Sequence, residues 1–183
     1  MTEPTKVVAI IAASPALSSI LAMVVAGDTG LRVRQFDSEA ALHTYMRVAP
    51  IDVLVCDFDS EEAPADRLVY ALRRDESISN ADFAAVALTR TITAEMRHTS
   101  IRSGIDEVIV KPMSPRHLLA RVQARLRTQR ALVTGENGYR GPDRRDRISF
   151  GVTPVQHQRR YTDNVVALFP DRRAAPKHPG LNS

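Results

Sequence analysis

The sequence predicts an α/β protein built on a doubly wound, five-stranded parallel sheet, followed by a flexible C-terminal tail. Two patterns in the first 130 residues support this fold class: short apolar or β-branched runs that suit buried strands, and segments between them with apolar residues at helical spacing. Strands that alternate with helices in this way are typical of a parallel sheet covered by helices on both faces.

Five short runs rich in Val, Ile, Leu, Ala and Phe are predicted as strands. Each is too short to be a typical buried helix, and the helical segments separate them at regular intervals along the chain. In chain order the runs are Val7–Ile11, Leu31–Phe36, Ile51–Cys56, Phe83–Leu88 and Val108–Val110.

Five helices are predicted between and after these strands. The first begins with Ser14 as N-cap and Pro15 as the first helical residue, and the last repeats the arrangement with Ser114 and Pro115. Gly104 suits the C-terminus of the fourth helix, because glycine readily adopts the left-handed backbone conformation that ends many helices. The three middle helices are predicted at Glu39–Arg47, Ala65–Arg74 and Ala94–Ser103.

Length and composition exclude several classes of protein. With 183 residues, 44% hydrophobic and 25% charged, the chain resembles an ordinary soluble protein more than a disordered one. No run approaches the roughly 18 apolar residues of a membrane span, and no secretory signal pattern opens the chain. The single cysteine, Cys56, cannot form an internal disulfide framework or a multi-cysteine metal site, so we expect a cytoplasmic protein.

The last third of the chain differs from the rest. Residues 128–183 contain 10 Lys or Arg against 5 Asp or Glu, whereas residues 1–127 contain 15 against 16. Helical and strand periodicity stops after about Ala131, and glycine and proline become frequent. We therefore predict one folded domain over residues 5–131 and a basic, mostly disordered tail over residues 132–183.

Polar side chains follow three of the predicted strands: Asp57, Thr89 and Lys111. In an open parallel sheet, functional groups gather at the carboxyl ends of the strands. A carboxylate, a hydroxyl and an ammonium at adjacent strand ends form a candidate phosphoryl site, with Asp57 as nucleophile and the other two as oxygen contacts. The alternative is a structural ion pair between Asp57 and Lys111, with Thr89 an ordinary strand hydroxyl.

These residues carry a resemblance to a known family. The segments IDVLVCD at 51–57, ALT at 87–89 and SGID at 103–106, running on to KP at 111–112, are similar to the receiver domain of two-component response regulators, the CheY-like fold. The resemblance covers Lys6 to about Arg130. It implies a strand order of 2-1-3-4-5, Asp57 as phosphoacceptor, Thr89 as switch hydroxyl and Lys111 as phosphoryl contact. It also implies histidine kinases, phosphotransfer proteins or output targets as partners.

The chain departs from that family at two points. Ala12 and Ala13 stand where the family has an acidic pair that holds Mg²⁺, and Val108 stands where it often has an aromatic residue. Mg²⁺ is usually held by carboxylate and phosphate oxygens. We therefore expect Mg²⁺ to be bound weakly or not at all, no metal site, and slow, weak or absent phosphorylation. Asp59, Glu61 and Glu62 follow the acceptor, but no spacing requires them to substitute for the missing pair.

The tail contains the arginine-rich segment GYRGPDRRDR at residues 138–147. Guanine has two adjacent hydrogen-bond acceptors that match a guanidinium, and two donors that match a carboxylate. Arg140 and Asp143 supply a guanidinium and a carboxylate within one turn of the chain. The segment resembles the C-terminal extension of the Cle group of CheY-like proteins, which bind cyclic di-GMP. On this resemblance the candidate ligand contacts are Tyr139, Arg140, Asp143, Arg144, Arg145 and Arg147.

Other interpretations of the tail stay open. It is equally well a solvated basic segment without a ligand, and nucleic acid or another acidic partner is the least favoured alternative. An apolar stretch, Val165–Phe169, either folds back on the protein or docks on a partner.

The sequence shows no arrangement of side chains typical of an enzyme active site. We therefore expect a non-enzymatic signalling adaptor of the two-component type, in which the receiver lacks the acidic pair and the tail binds cyclic di-GMP. The alternative is a single-domain response regulator that is phosphorylated at Asp57, with an unliganded tail.

Overall fold

The computed structural model describes residues 5–61, 63–128, 130–135 and 137–144. Five parallel strands form one sheet: β1 (Lys6–Ile10), β2 (Leu31–Gln35), β3 (Val53–Asp57), β4 (Ala84–Thr89) and β5 (Glu107–Val110). Their order is β2-β1-β3-β4-β5, which confirms the predicted fold class and topology.

Five helices connect and follow these strands: α1 (Pro15–Ala26), α2 (Glu39–Val48), α3 (Ala65–Arg74), α4 (Ala94–Ser103) and α5 (Pro115–Arg127). The predicted caps are observed, since Ser14 accepts a hydrogen bond from the Leu17 amide and Ser114 from the His117 amide. Gly104 ends α4 in the left-handed conformation with φ of 85°.

The central strand β3 explains why the core has two halves. Its residues point alternately to opposite faces of the sheet, so Leu54 and Cys56 pack with α2 and α3, while Val53 and Val55 pack with α1 and α5. All five residues of β3 are buried. A strand covered on both faces is largely apolar, and the run Val53–Cys56 shows the pattern that predicted it.

The chain continues beyond α5 as a two-stranded hairpin, which the sequence analysis did not predict. Strands β6 (Leu132–Thr134) and β7 (Arg140–Pro142) pair antiparallel, with Val133 opposite Gly141. Residues 132–142 thus follow residue 131, where the sequence predicted the folded domain to end, as a paired hairpin. Three-residue strands are too short to show a period of two, which is why periodicity missed them. Residues 145–183 of the predicted tail lie outside the described residues.

The hairpin packs on the body through two glycines. A Cβ added to Gly104 would lie 2.6 Å from the Arg140 carbonyl oxygen, and one added to Gly141 would lie 2.7 Å from the Gly104 Cα. The two backbones therefore touch in a way that only glycine permits. Guanidinium groups reinforce the contact, because Arg144 donates to the Ile105 carbonyl and Arg74 donates to the Gly138 carbonyl.

Candidate functional site

The parallel sheet brings the predicted Asp57 and Lys111 into contact at its carboxyl edge. Asp57 is the last residue of β3, and Lys111 directly follows β5. The Lys111 Nζ lies 2.9 Å from both carboxylate oxygens of Asp57. The Asp57 side chain is fully buried and the Lys111 side chain is 16% exposed, so solvent screens this ion pair only weakly.

Asp59 joins the same site, although the sequence pattern did not require it to. Its carboxylate lies 2.9 Å from the Lys111 Nζ, and it accepts hydrogen bonds from the Arg90 amide at 3.0 Å and the Arg90 Nε at 3.2 Å. Its own amide donates to Asp57 Oδ1 at 3.0 Å. We refer to Asp57, Asp59, Thr89, Arg90 and Lys111 as the strand-end cluster.

The charges of the cluster stabilise one another. Burial raises the pKa of Asp59, but hydrogen bonds from Lys111 and Arg90 outweigh it, so the pKa lies below its ordinary value. Burial lowers the pKa of Lys111, but the hydrogen bonds and charges of Asp57 and Asp59 outweigh it, so that pKa is raised. Both groups are therefore held in their charged forms at neutral pH.

The Thr89 hydroxyl is directed elsewhere. It lies 2.7 Å from the Thr91 carbonyl oxygen and 3.4 Å from Asp59 Oδ1. A hydroxyl has one proton to donate, and the shorter contact has the better hydrogen-bond distance. Thr89 thus lies at the predicted edge of the sheet, but its hydroxyl donates its proton to the Thr91 carbonyl in the loop that follows β4.

A cleft of about 700 Å³ opens beside the cluster where β1 ends. Ala12 and Ala13 contribute methyl groups to its wall, and Asp37, Glu39, Asp59 and Glu61 also line it. Within the described part of the chain, no three His, Cys, Asp or Glu side chains come together as a metal-binding group.

The side chains that follow β1 in this cleft fit Mg²⁺ poorly. Mg²⁺ demands near-octahedral oxygen ligands and usually relies on carboxylates. The methyl groups of Ala12 and Ala13 supply none. The carboxylates of Asp57 and Asp59 are already bound to the Lys111 ammonium, which a cation would have to displace.

The tail residues predicted to bind a ligand lie partly in the hairpin. Tyr139 donates its hydroxyl proton to the Pro142 carbonyl at 2.9 Å, and the Arg144 Nε donates to the Tyr139 oxygen at 3.3 Å. Arg140 is half-buried in β7. Asp143 follows β7, and its backbone amide donates to the Ala131 carbonyl at 2.9 Å. Tyr139 and Asp143 therefore make contacts within the hairpin segment, and Arg144 also joins that segment to the body through the Ile105 carbonyl. The predicted contacts Arg145 and Arg147, and the stretch Val165–Phe169, lie outside the described residues.

A buried ion pair lies where the hairpin meets the body. Arg73 on α3 is 1% exposed, and its guanidinium lies 3.2 Å from the Asp106 carboxylate, which is 5% exposed. Arg73 also donates to the Ala81 carbonyl at 2.6 Å and the Gly104 carbonyl at 3.3 Å, and its guanidinium carbon stands 4.3 Å from the centre of the Phe83 ring. No local sequence pattern predicted this pair, because its residues are 33 positions apart in the chain.

Comparisons with known proteins place the fold. No protein-family model and no curated protein sequence matches the chain. A response regulator from Thermotoga maritima matches in structure at 22% identity and a TM-score of 0.59, covering 68% of this chain and 100% of that one. A CheY-like receiver domain protein from Methanospirillum hungatei matches at 17% identity and 0.61, covering 69% and 97%. The chemotaxis protein CheY4 of Vibrio cholerae matches at 19% and 0.59, covering 66% and 98%.

None of the described helices combines the length and apolar character needed to cross a bilayer. The strand order, the helices on both faces and the structural matches together show that about two-thirds of this chain has the fold of response regulator receiver domains.

Proposed function

We propose that the protein is a non-enzymatic signal-transduction adaptor of the two-component type, which works by docking on signalling proteins. A histidine kinase, a phosphotransfer protein or an output target is the expected kind of partner. The receiver fold supports the class of function. One observation supports the adaptor role: two carboxylates, Asp57 and Asp59, already bind the ammonium of Lys111.

The lack of an acidic pair at positions 12 and 13 disfavours phosphorylation of Asp57. Negative charge spreads over the oxygens of a phosphoryl group during transfer and needs a counter-ion, which a metal usually supplies. The methyl groups of Ala12 and Ala13 offer no ligand for that metal. The loose binding or absence of Mg²⁺ is part of the proposal, and we expect phosphotransfer to Asp57 to be slow.

The alternative is a single-domain response regulator that is phosphorylated at Asp57. The contacts of 2.9 Å between Lys111 and Asp57 favour it, because the ammonium is placed to neutralise an oxygen on that carboxylate. In this alternative the tail has no ligand, and phosphorylation changes the surface that a partner recognises.

Incubation with radiolabelled acetyl phosphate and Mg²⁺ separates the two functions. We expect little label on the native chain, none on Asp57→Asn, and more on the double variant Ala12→Asp/Ala13→Asp. Rapid labelling of the native chain that disappears in Asp57→Asn would establish the alternative. Equal labelling of the native chain and the double variant would show that the missing acidic pair is not the cause of slow transfer.

The Arg-rich segment is proposed as a binding site for cyclic di-GMP. The observation that favours it is that Arg140 begins β7 and Asp143 directly follows its last residue, so both charged groups lie within four residues of Tyr139 along the chain. A guanidinium and a carboxylate in this arrangement match the acceptor and donor pairs of guanine. Arg144, Arg145 and Arg147 would then contact guanine or phosphate, and Arg144 would have to leave the Ile105 carbonyl to do so.

Isothermal titration calorimetry of the full chain with cyclic di-GMP tests this proposal. We expect saturable heat with the native chain and none with Arg140→Ala/Asp143→Ala. Arg97→Ala removes an exposed arginine on α4 and should bind like the native chain. No heat with the native chain would exclude the ligand, and equal loss in the Arg97 control would show a nonspecific charge effect.

A further inference from the structure

One carboxylate oxygen in the strand-end cluster collects three cationic or amide donors. Asp59 Oδ2 lies 2.9 Å from the Lys111 Nζ, 3.0 Å from the Arg90 amide nitrogen and 3.2 Å from the Arg90 Nε. Hydrogen bonds to an ionised carboxylate are stronger than those between neutral groups. These donors are also the kind that an oxygen of a phosphate or sulfate would require.

The cluster is electrically balanced as it stands. The carboxylates of Asp57 and Asp59 carry two negative charges, and Lys111 and Arg90 carry two positive charges. An arriving oxyanion would find its donors occupied and would face two carboxylates. Removal of Asp59 alone would leave the cluster with one net positive charge.

We propose that Asp59 is a built-in anionic ligand, which occupies the oxyanion subsite formed by Lys111 and Arg90 and closes it to free phosphate-type anions. The inference rests on the proposed function in one respect, since it takes the strand-end cluster as the place where a receiver would accept a phosphoryl oxygen. The two proposals differ in the residue responsible. Slow phosphotransfer was attributed to the missing acidic pair, whereas the exclusion of free anions is attributed to the carboxylate of Asp59.

The local geometry makes Asp59 an effective competitor. Its backbone amide is bound to Asp57 Oδ1 at 3.0 Å, so the start of the loop after β3 is fixed on the site. A group tethered at such short range acts at an effective concentration of the order of millimolar or more. The Asp59 side chain is only 15% exposed, so its carboxylate is largely shielded from solvent, although the Arg90 side chain that donates to it is 76% exposed.

Titration with inorganic phosphate tests the inference on the full-length protein. The backbone amide of Arg90, followed by two-dimensional NMR at constant ionic strength and neutral pH, reports directly on the subsite. In Asp59→Ala we expect a saturable shift of this amide, with an affinity at least tenfold tighter than in the native chain. Asp59→Asn, which keeps the shape and removes the charge, should change in the same direction.

Glu61→Ala provides the matched control. Glu61 is an exposed carboxylate that lines the same cleft, so its removal changes the net charge of the region equally and leaves the contacts of Lys111 in place. We expect this variant to bind phosphate like the native chain.

Three results would overturn the inference. They are equal affinity in the native chain and both Asp59 variants, no saturable shift in either Asp59 variant, or an equal gain in the Glu61 control. The titration needs no kinase, metal or partner, so its failure is distinct from the failure of the adaptor function, which would appear as rapid labelling of the native chain by acetyl phosphate.

Discussion

Substitution of Arg73 by methionine is the sharpest test of how the hairpin side of the molecule is stabilised. The guanidinium of Arg73 is buried and donates to the Ala81 and Gly104 carbonyls and to the Asp106 carboxylate. In Arg73→Met, Asp106 would lose the hydrogen bond from Arg73 and keep the one from the Ala85 amide, at 2.9 Å. A buried carboxylate would thus lose its counter-ion.

The expected cost follows from the burial of both partners. With side-chain exposures of 1% and 5%, the pair is shielded from water, and removal of one partner of such a pair costs about 3–5 kcal/mol. Methionine fills much of the arginine volume, so the cavity contribution is small. Since whole domains are stable by about 5–15 kcal/mol, the free energy of unfolding should fall by a large fraction.

Urea unfolding followed by circular dichroism measures the effect. Arg67→Met on the exposed side of α3 is the control and should change stability by no more than about 0.5 kcal/mol. Asp106→Asn keeps an acceptor for the Ala85 amide and removes the charge. The loss of unfolding free energy in the double variant Arg73→Met/Asp106→Asn should therefore be smaller than the sum of the losses in the two single variants, by about 0.5–3 kcal/mol. Strict additivity, or a loss in Arg73→Met as small as in the control, would refute the reasoning.

The same pair predicts a dependence on pH. Burial raises the pKa of Asp106 in the folded state, despite hydrogen bonding to the Ala85 amide and the charge of Arg73. A carboxyl whose folded pKa is raised contributes stability below its unfolded pKa of about 3.9 and loses that contribution as pH rises through the folded value. Without Arg73 the folded pKa should rise further. The destabilisation of Arg73→Met should therefore grow as pH rises through the pKa of Asp106 in the native fold, which lies above its ordinary value, and a constant difference across that range would contradict this account.

Three further predictions concern other parts of the molecule. Gly141→Ala should destabilise the hairpin by about 1–3 kcal/mol, because the added Cβ would lie 2.7 Å from the Gly104 Cα. Gly135→Ala is the control and should be tolerated, because the nearest atom to its added Cβ would be 3.4 Å away. Hydrogen exchange of the hairpin amides measures both effects. The thiol of Cys56 is buried and its pKa is raised by that burial, so it should react with a thiol reagent only on unfolding; rapid labelling of the native protein would count against the core packing described above. The pKa of Asp59 is lowered in the folded state, so the contribution of Asp59 to stability should be present above about pH 3.9 and disappear as pH falls through its pKa in the folded protein. An NMR titration of the Asp59 carboxyl carbon with a midpoint at or above about pH 3.9 would contradict this prediction.

The hairpin changes how the Arg-rich segment is understood. Tyr139 and Arg144 are bound to backbone carbonyls of the protein itself, at Pro142 and Ile105. If cyclic di-GMP binds here, it must compete with these contacts or use the neighbouring Arg140 and Asp143. Binding would then be coupled to the docking of the hairpin on α3, α4 and the loop that follows α4.

Much of the body could be predicted from the sequence, because its signals are local. Periodicity of apolar residues located the strands and helices to within a residue or two at most ends, and Ser14, Gly104 and Ser114 marked helix ends through hydrogen bonds to neighbouring residues. The alternation of elements then dictated a parallel sheet, and with it the arrival of Asp57, Thr89 and Lys111 at one edge. Proximity at that edge is a property of topology and needs no knowledge of side-chain packing.

The tertiary structure decided which partners those side chains take. The Lys111 ammonium is shared between Asp57 and Asp59, and the Thr89 hydroxyl is directed to Thr91, because rotamers and loop paths choose among several donors and acceptors within reach. The pairing of Arg73 with Asp106 links positions far apart in the chain, which no local pattern encodes. The hairpin likewise depends on long-range packing: its three-residue strands have too little periodicity to be recognised, and its place on the body is set by the close approach of Gly104 and Gly141.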